Sequence, residues 1–336
     1  MKPLPLSILF AFHLMAGFCI AAESPAPAAL PAPKFQGDFF GEMARAFGFV
    51  VSTDSKAQTM TVKLDRDAKI VTVPIKYDTE LHVRDSWGEL SDYFPGQRVM
   101  LFMYVDDAKN WAYPRAVQDE IHVSARHGWW AKVTAIDKDA HTFATHREEK
   151  DAQGKVTRQI DNTISFDPDA KVWKGDTAGG IDTLQLGDEV IQQQIEKDGK
   201  KVAAEIFDRK GDAAISAVQD AKHKEDQDKL GLPAYVTDFN PLTGALSVTV
   251  VWSGQTRAKQ LKPGDAIALQ PADGSALFAA AVCSLQPVDS RIRLELVTNS
   301  RVVVRLSYGQ TLRVFMPGTG PELPTGRAGI PDLSKK

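Results

Sequence analysis

Trp130-Ala131-Lys132-Val133-Thr134-Ala135-Ile136-Asp137 reads as a β-strand that ends in an aspartate turn, and altered versions of it stand on either side. Upstream is Gly48-Phe49-Val50-Val51-Ser52-Thr53-Asp54, and downstream is Leu232-Pro233-Ala234-Tyr235-Val236-Thr237-Asp238. Each opening is followed by a Gly turn and an apolar strand: Phe94-Pro95-Gly96-Gln97-Arg98-Val99, Leu184-Gln185-Leu186-Gly187-Asp188-Glu189-Val190 and Leu261-Lys262-Pro263-Gly264-Asp265-Ala266-Ile267. Each unit then closes on an Ala-containing strand, Ala112 to Val117, Val202 to Phe207 and Ala279 to Val282. The spacing from opening to Gly turn differs, so this is a tolerant repeat rather than a solenoid period.

Period-two alternation dominates the rest of the body. Thr59 to Leu64 and Lys69 to Ile75 alternate, Val99 to Val105 is continuously apolar, and Gly128 to Ile136, Glu189 to Ile195, Ala245 to Trp252, Arg291 to Val297, Arg301 to Leu306 and Thr311 to Met316 read as strands too. Turn pairs such as Asp198-Gly199 and Thr243-Gly244 separate them. Many short strands with such turns predict a mainly β chain of tandem small OB-like β-barrel modules with a linker helix.

The expected organisation is a signal peptide at 1–22, a Pro/Ala tether at 23–34, β modules at 35–120 and 121–210, a linker helix at 211–230, a third β module at 231–317 and a disordered tail at 318–336. Lys2, the apolar run from Leu4 to Ile20 and the small residues after it follow the order of a secretory leader. Its removal takes away Cys19 and leaves Cys283, which the run AAAVCSL marks as a buried small hydrophobe. Three further helical expectations attach to the modules. Asp38 to Phe47 puts Phe39, Phe40, Met43 and Phe47 near one helical face; Ser86-x-x-Glu89 is a capping box for a short helix bearing Trp87, Leu90 and Phe94; and Gly211 to Gly231 reads as a solvated connector. The third module has no room for a helix and gains an extra strand set from Arg291 to Met316, which predicts a larger or altered barrel.

The order Gly-x-Val, then Asp78-Thr79, then Leu-x-x-Gly-Asp-x-Val and Lys-x-Ala-x-x-Ile resembles the secreted bacterial OB-like modules of unknown function that occur in tandem after a signal peptide. The first two units carry the resemblance; the third shares the Leu-x-Pro-Gly-Asp-x-Ile turn and little else. It implies no catalytic residues.

Composition narrows function further. The chain has 336 residues, a formal net charge of -3 and two cysteines. This gives no basic footprint for nucleic acid and no cysteine-rich metal site. No G-x-S-x-G elbow, H-E-x-x-H, phosphate-binding Gly loop or S-x-x-K is present, and no cofactor is indicated. The candidate constellations are two. His122, His127, His141 and His146 fall close together and offer imidazole to copper or zinc, although an odd spacing of five on one strand would set each pair on opposite faces. The adjacent Trp129-Trp130 would place one ring inward and one outward on a strand, the outward one stacking on a sugar or peptide. The Asp-x-Asp pairs (Asp65/Asp67, Asp137/Asp139, Asp167/Asp169) lack a calcium loop's Gly and distal Glu and read as turn aspartates. The expectation is a non-catalytic exported binding or scaffolding protein of the cell envelope, whose partner is an envelope protein or glycan. No nucleic acid and no transmembrane span after cleavage are expected. A periplasmic metal-binding protein and a hydrolase with an unrecognised site are the alternatives.

Overall fold

The computed structural model describes residues 44–105, 110–272, 274–288 and 291–322. The expected signal peptide, the tether, the first part of the Asp38–Phe47 helix and all but the start of the expected tail lie outside these residues. The chain is mainly β and forms three sheets, in the order of the three units.

In the first unit, β1 (Ala44–Asp54) pairs with β2 (Thr59–Leu64) and β6 (Arg98–Val105), β2 with β3 (Ile70–Pro74), and β6 with β7 (Trp111–Asp119). β7 takes the short β4 (Glu80–Val83) in parallel, and β4 turns back into β5 (Ser86–Trp87). Alternation does its expected work here: Met60, Val62 and Leu64 of β2 point into the core with Val50, Val99, Leu101 and Val117. Residues 44–47 are strand, not helix, because each finds a ladder partner on β6, from Ala44 opposite Met103 to Phe47 opposite Met100. Ser86 does not open a helix either. Arg84 and Asp85 both have positive φ and form a two-residue hairpin turn, after which Ser86 donates to Asp220 and Trp87 pairs with His82. The capping box lies three residues on, where Glu89 and Asp92 close a single 3₁₀ turn over Leu90–Asp92.

The helix α1 (Glu120–Arg126) leads into the second unit, where β8 (Ala131–Asp137), β9 (Thr142–Lys150), β10 (Val156–Lys174), β11 (Thr177–Gly179), β12 (Glu189–Lys197) and β13 (Lys200–Phe207) form one sheet. The 19-residue β10 serves β9 and β13 in turn and takes the short β11 at its end. Up to Ser165 it runs antiparallel to β9; from Phe166 it runs parallel to β13. The pairings therefore pass from β8 through β9, β10, β13 and β12 back to β8. Val133, Phe143, Phe166, Val172 and Ile206 fill the interior.

The long α2 (Arg209–Leu230) then reaches the third unit, formed by β14 (Leu232–Asn240), β15 (Ala245–Val250), α3 (Gln255–Ala258), β16 (Ala266–Pro271), β17 (Phe278–Val288), β18 (Arg291–Thr298), α4 (Ser300–Val303) and β19 (Thr311–Phe315). Its six strands pair antiparallel in the order β14-β15-β18-β17-β16-β19, and β19 returns to β14. Two local expectations fail here. A 3₁₀ turn and α3 do fit between β15 and β16, and Arg301 to Leu306 begins as helix. Asn299 caps α4 by accepting from the Arg301 N–H, and the cap outweighs the β-branched run because the turn buries Val303. Cys283 is half-buried rather than buried, since it sits at a bulge between Val282 and Ser284.

α2 is a strut, not a solvated connector. It buries one stripe, Asp212, Ile215, Gln219, His223 and Gln227, spaced for one helical face. Gln219 Nε2 donates to Trp87 O (3.2 Å) and Asp92 Oδ2 (3.1 Å) of the first unit, while Gln227 Nε2 donates to Ser253 O (2.8 Å) of the third. The stripe is mostly polar, so hydrophobic periodicity could not announce it. The first two units meet directly as well. Glu196 donates its N–H to Gly96 O at 2.9 Å, and a Cβ on Gly96 would stand 3.1 Å from Glu196 O, in a backbone already at φ 84°.

Candidate functional site

Five of the six tyrosines converge where the first and third units meet. The convergence begins at a break between β3 and β4. Pro74 ends β3, and Lys76 to Thr79 form a turn closed by Thr79 N–H to Lys76 O (3.0 Å) and Lys76 N–H to Thr79 Oγ1 (3.1 Å). Thr79 Oγ1 also donates to Pro114 O at 2.7 Å, which pins the turn on β7. Tyr77 therefore projects from the first unit and meets Tyr235 of β14, ring centroids 4.5 Å apart. Beside it Asp78 accepts from the Tyr113 hydroxyl at 3.2 Å, and Tyr113 packs edge-on against Tyr104, its cross-strand partner, at 5.0 Å. From the third unit Arg291 donates to the Tyr235 hydroxyl (2.9 Å) and lies over the Trp252 ring. Tyr308 stands 55% exposed in a turn that Gly309 N–H ties to Val236 O, next to Tyr235.

The electrostatics favour the neutral form of the three rings of the first unit. Burial, with the Asp78 charge nearby, pushes the Tyr77 hydroxyl up to about 12 and raises those of Tyr104 and Tyr113. Asp78 is itself raised by burial; it is 5% exposed and its Oδ1 has no hydrogen-bond partner. The result is a cluster of mostly half-buried phenol rings packed in pairs beside a buried carboxylate.

A second polar cluster joins α2 and α1 to the first unit. Asp119 accepts from the His122 N–H (2.8 Å) at the start of α1 and from the Arg84 N–H (2.7 Å), which holds the strained hairpin turn. The His122 ring stacks on His82 at 4.2 Å; its Nδ1 lies 3.1 Å from Asp85 Oδ1 but off the hydrogen-bond line, so both ring nitrogens lack a bond. Asp212 completes the group from α2. Burial raises Asp119 to about 6, and burial with repulsion from Asp85 and Asp119 raises Asp212 to about 7. Asp119, His82, His122 and Asp212 are buried while Asp85 stays partly exposed, and the group sits at the joint between elements.

The four histidines singled out in the sequence are placed apart in role. His122 and His127 belong to α1 and its C-cap rather than to a strand, which corrects the spacing argument. Aspartate at the N-cap and a buried Ile121 and Val123 explain the helix. His127 stacks on Trp129 at 5.2 Å, His141 sits in the β8–β9 turn edge-on to Phe166, and His146 on β9 bonds Asp161 at 2.8 Å. Among the described residues no group of three or more His, Cys, Asp or Glu is arranged to hold a metal ion. Trp129 and Trp130 lie in the connection before β8, not on a strand, and both are half-buried. Trp130 packs with Ile121, Ile191, Phe207 and Ile215 under the Arg209 guanidinium; Trp129 carries Arg147 over its ring. Asp67, Asp137 and Asp167 accept from backbone N–H groups as turn aspartates do, from Lys69, Ala140 and Asp169, whereas Asp65 departs from that reading and pairs with Arg98 and Lys201.

An open groove of about 850 Å³ also runs beside β3, lined by Ala44, Val71, Val73 and Trp111 with Arg45 and Lys69 among its charged residues. No helix among the described residues is long and apolar enough to cross a membrane. No protein-family model matches the chain, and no curated protein matches it in sequence.

Proposed function

We propose that this chain is a non-catalytic, exported binding or scaffolding protein of the cell envelope, built from tandem OB-like β modules. In the first two units the opening strand pairs with the second and fourth, and the third-strand segment pairs in parallel with the fifth. That order is the one expected of five-stranded OB-like barrels, and the six-stranded third unit is the altered member. The observation that carries the reading is the set of polar joints between units. Arg98 donates to Asp65 (2.9 Å) within its own unit, to Glu120 (2.6 Å) of α1 and to Gln194 (3.2 Å) of the second unit. With the α2 strut, such joints fix several β surfaces relative to one another, which suits display of a composite surface better than independent motion of tethered modules. Export rests on the leader-like sequence of residues 1–22.

Two measurements test this. N-terminal sequencing of the protein from fractionated cells should find a chain that starts near residue 22 in the envelope fraction; an intact Met1 in the cytoplasm overturns export. Affinity capture with the mature chain should retain an envelope protein or glycan reproducibly, and repeated recovery of neither overturns the binding role.

A further inference from the structure

The sheet register brings three connections to one end of the third unit. Ala245 stands opposite Val297, Ala280 opposite Thr298, Leu269 opposite Phe278 and Pro271 opposite Leu312. The β14–β15 hairpin, the β16–β17 connection and the β18–β19 connection with α4 therefore share that end. The hairpin rests on the start of α4: Thr298 donates its N–H to Gly244 O at 2.9 Å, and a Cβ on Gly244 would stand 3.4 Å from Ser300 N. Val303 and Leu306 turn inward, which leaves Arg301, Val304, Arg305 and Tyr308 exposed. Among the described residues six large apolar or tyrosine side chains are more than half exposed, and three of them are here: Leu242 at the hairpin tip (91%), Val304 (64%) and Tyr308. That grouping differs from the ordinary scatter of single apolar residues over a surface. In a chain of net charge -3 the same end is cationic. The described residues of its connections, 241–244, 272, 274–277 and 299–310, hold Arg301 and Arg305 and no acid, and Asp273 of the same connections still leaves a positive balance. Neither guanidinium has an ion pair among the described residues.

We infer that this end of the third unit is a peripheral contact with an anionic phospholipid surface. Leu242 and Val304 enter the boundary between headgroups and acyl chains, Tyr308 lies at headgroup level, and Arg301 and Arg305 meet lipid phosphates. A bare leucine gains by leaving water, and lipid receives it without a shaped pocket. Tyrosine suits the headgroup depth because its ring is apolar and its hydroxyl polar. The arginines add attraction to anionic lipid and match phosphate with their planar forks. A protein interface is built around a desolvated apolar centre. Here cationic and apolar side chains alternate along one connection, Arg301, Val304, Arg305 and Tyr308, which is the pattern of an interfacial element. The inference goes beyond the display role, since it states what the assembly lies against.

The test is co-sedimentation of the mature chain, freed of the apolar residues 1–22, with phospholipid vesicles in low salt. It should pellet with vesicles of mixed phosphatidylglycerol and phosphatidylcholine, and about tenfold more weakly with phosphatidylcholine alone. Leu242→Ser should weaken binding to the mixed vesicles about tenfold, and so should Arg301→Ala combined with Arg305→Ala. Leu186→Ser, which alters another exposed leucine on the second unit, should leave it unchanged. All four side chains are exposed, so the variants report on the surface rather than on folding. No pelleting with the mixed vesicles overturns the contact, and so does pelleting that Leu242→Ser and the double variant leave unchanged. Equal binding to both vesicles overturns the role of the arginines. Capture of an envelope protein that Leu242→Ser abolishes, together with no vesicle binding, makes the surface a protein contact, which overturns the lipid partner and leaves the display role standing.

Discussion

The third strand of the second unit runs unbroken for 19 residues and passes from β9 to β13, whereas its counterpart in the first unit is cut into β3 and β4 by the turn at Lys76 to Thr79. The second unit's pairings consequently return on themselves through backbone ladders alone. The first unit leans on other elements at the same place: Thr79 on Pro114, Tyr77 on Tyr235 of the third unit, and the β4–β5 hairpin on Asp119 and α2. A break in a ladder removes local hydrogen bonds, and it also frees side chains to face outward and bind elsewhere. The broken unit meets both others and supplies three of the five clustered tyrosines.

If the first unit depends on its joints, their loss should outweigh comparable changes elsewhere. Arg98→Ala leaves the buried Glu120 carboxylate without its cation and the half-buried Asp65 with Lys201 alone, and should cost about 3–5 kcal/mol in urea unfolding; a loss below about 1 kcal/mol would show that the joint is dispensable. The contrast between the third strands can be broken on purpose. Ile164→Pro, inside the paired part of β10, should cost about 3 kcal/mol or more, since it removes ladder geometry and a buried side chain together. Lys76→Pro falls in the existing break, where only the bond to Thr79 Oγ1 is lost, and should cost about 1 kcal/mol. Equal destabilisation by the two prolines would remove the distinction. Gln219→Ala leaves Trp87 O and Asp92 short of a donor and should cost about 1–3 kcal/mol, read together with faster hydrogen exchange along α2.

The α2 joint should also show itself as a pH slope. Asp119 and Asp212 bind protons more tightly folded than unfolded, at about 6 and about 7 against an ordinary value of 3.8. Their contribution is complete below the unfolded value and is lost as pH rises through 6 and 7. His82 and His223, lowered by burial, act the other way below about 6.5. Melting temperatures of wild type and Asp212→Asn between about pH 5 and 8 separate the terms. The wild type should fall more steeply toward alkaline pH than the variant, and parallel curves would mean that Asp212 takes up no extra proton in the fold.

Much of the strand pattern was legible because alternation in a half-buried strand is written residue by residue. Thr59 to Leu64 and Arg291 to Val297 could be placed from their own side chains. The α2 helix was legible for another reason: Ile215, Val218 and an Ala series lead to a charged run that Gly231 stops, although its start under the Asp208 cap lies two residues before the expected Gly211. Its buried face was not, because Gln219 and Gln227 are polar and only their targets on Trp87, Asp92 and Ser253 give them a reason to be inside. The Ser86 capping box misled because the same residues serve a hairpin whose Arg84-Asp85 turn is stabilised from Asp119, far along the chain. The tyrosines carried one faint signal. Tyr235 lies in a repeated strand opening and Tyr77 beside the Asp78-Thr79 pair, yet nothing in either stretch states that they touch.

By itself, then, the sequence determined what depends on neighbours along the chain: three β-rich units, their strands and aspartate turns, one long helix between the second and third, and a leader-like beginning. Tertiary structure alone decided the continuity of β10 against the break at Tyr77-Asp78, the burial of a polar helix face, and the meeting of tyrosines numbered from 77 to 308. The physical reason is range. Periodicity and turn chemistry act over a few residues and are recorded locally, whereas a hydrogen bond between Arg291 and Tyr235 or a ring contact between Tyr77 and Tyr235 exists only after separate units have docked.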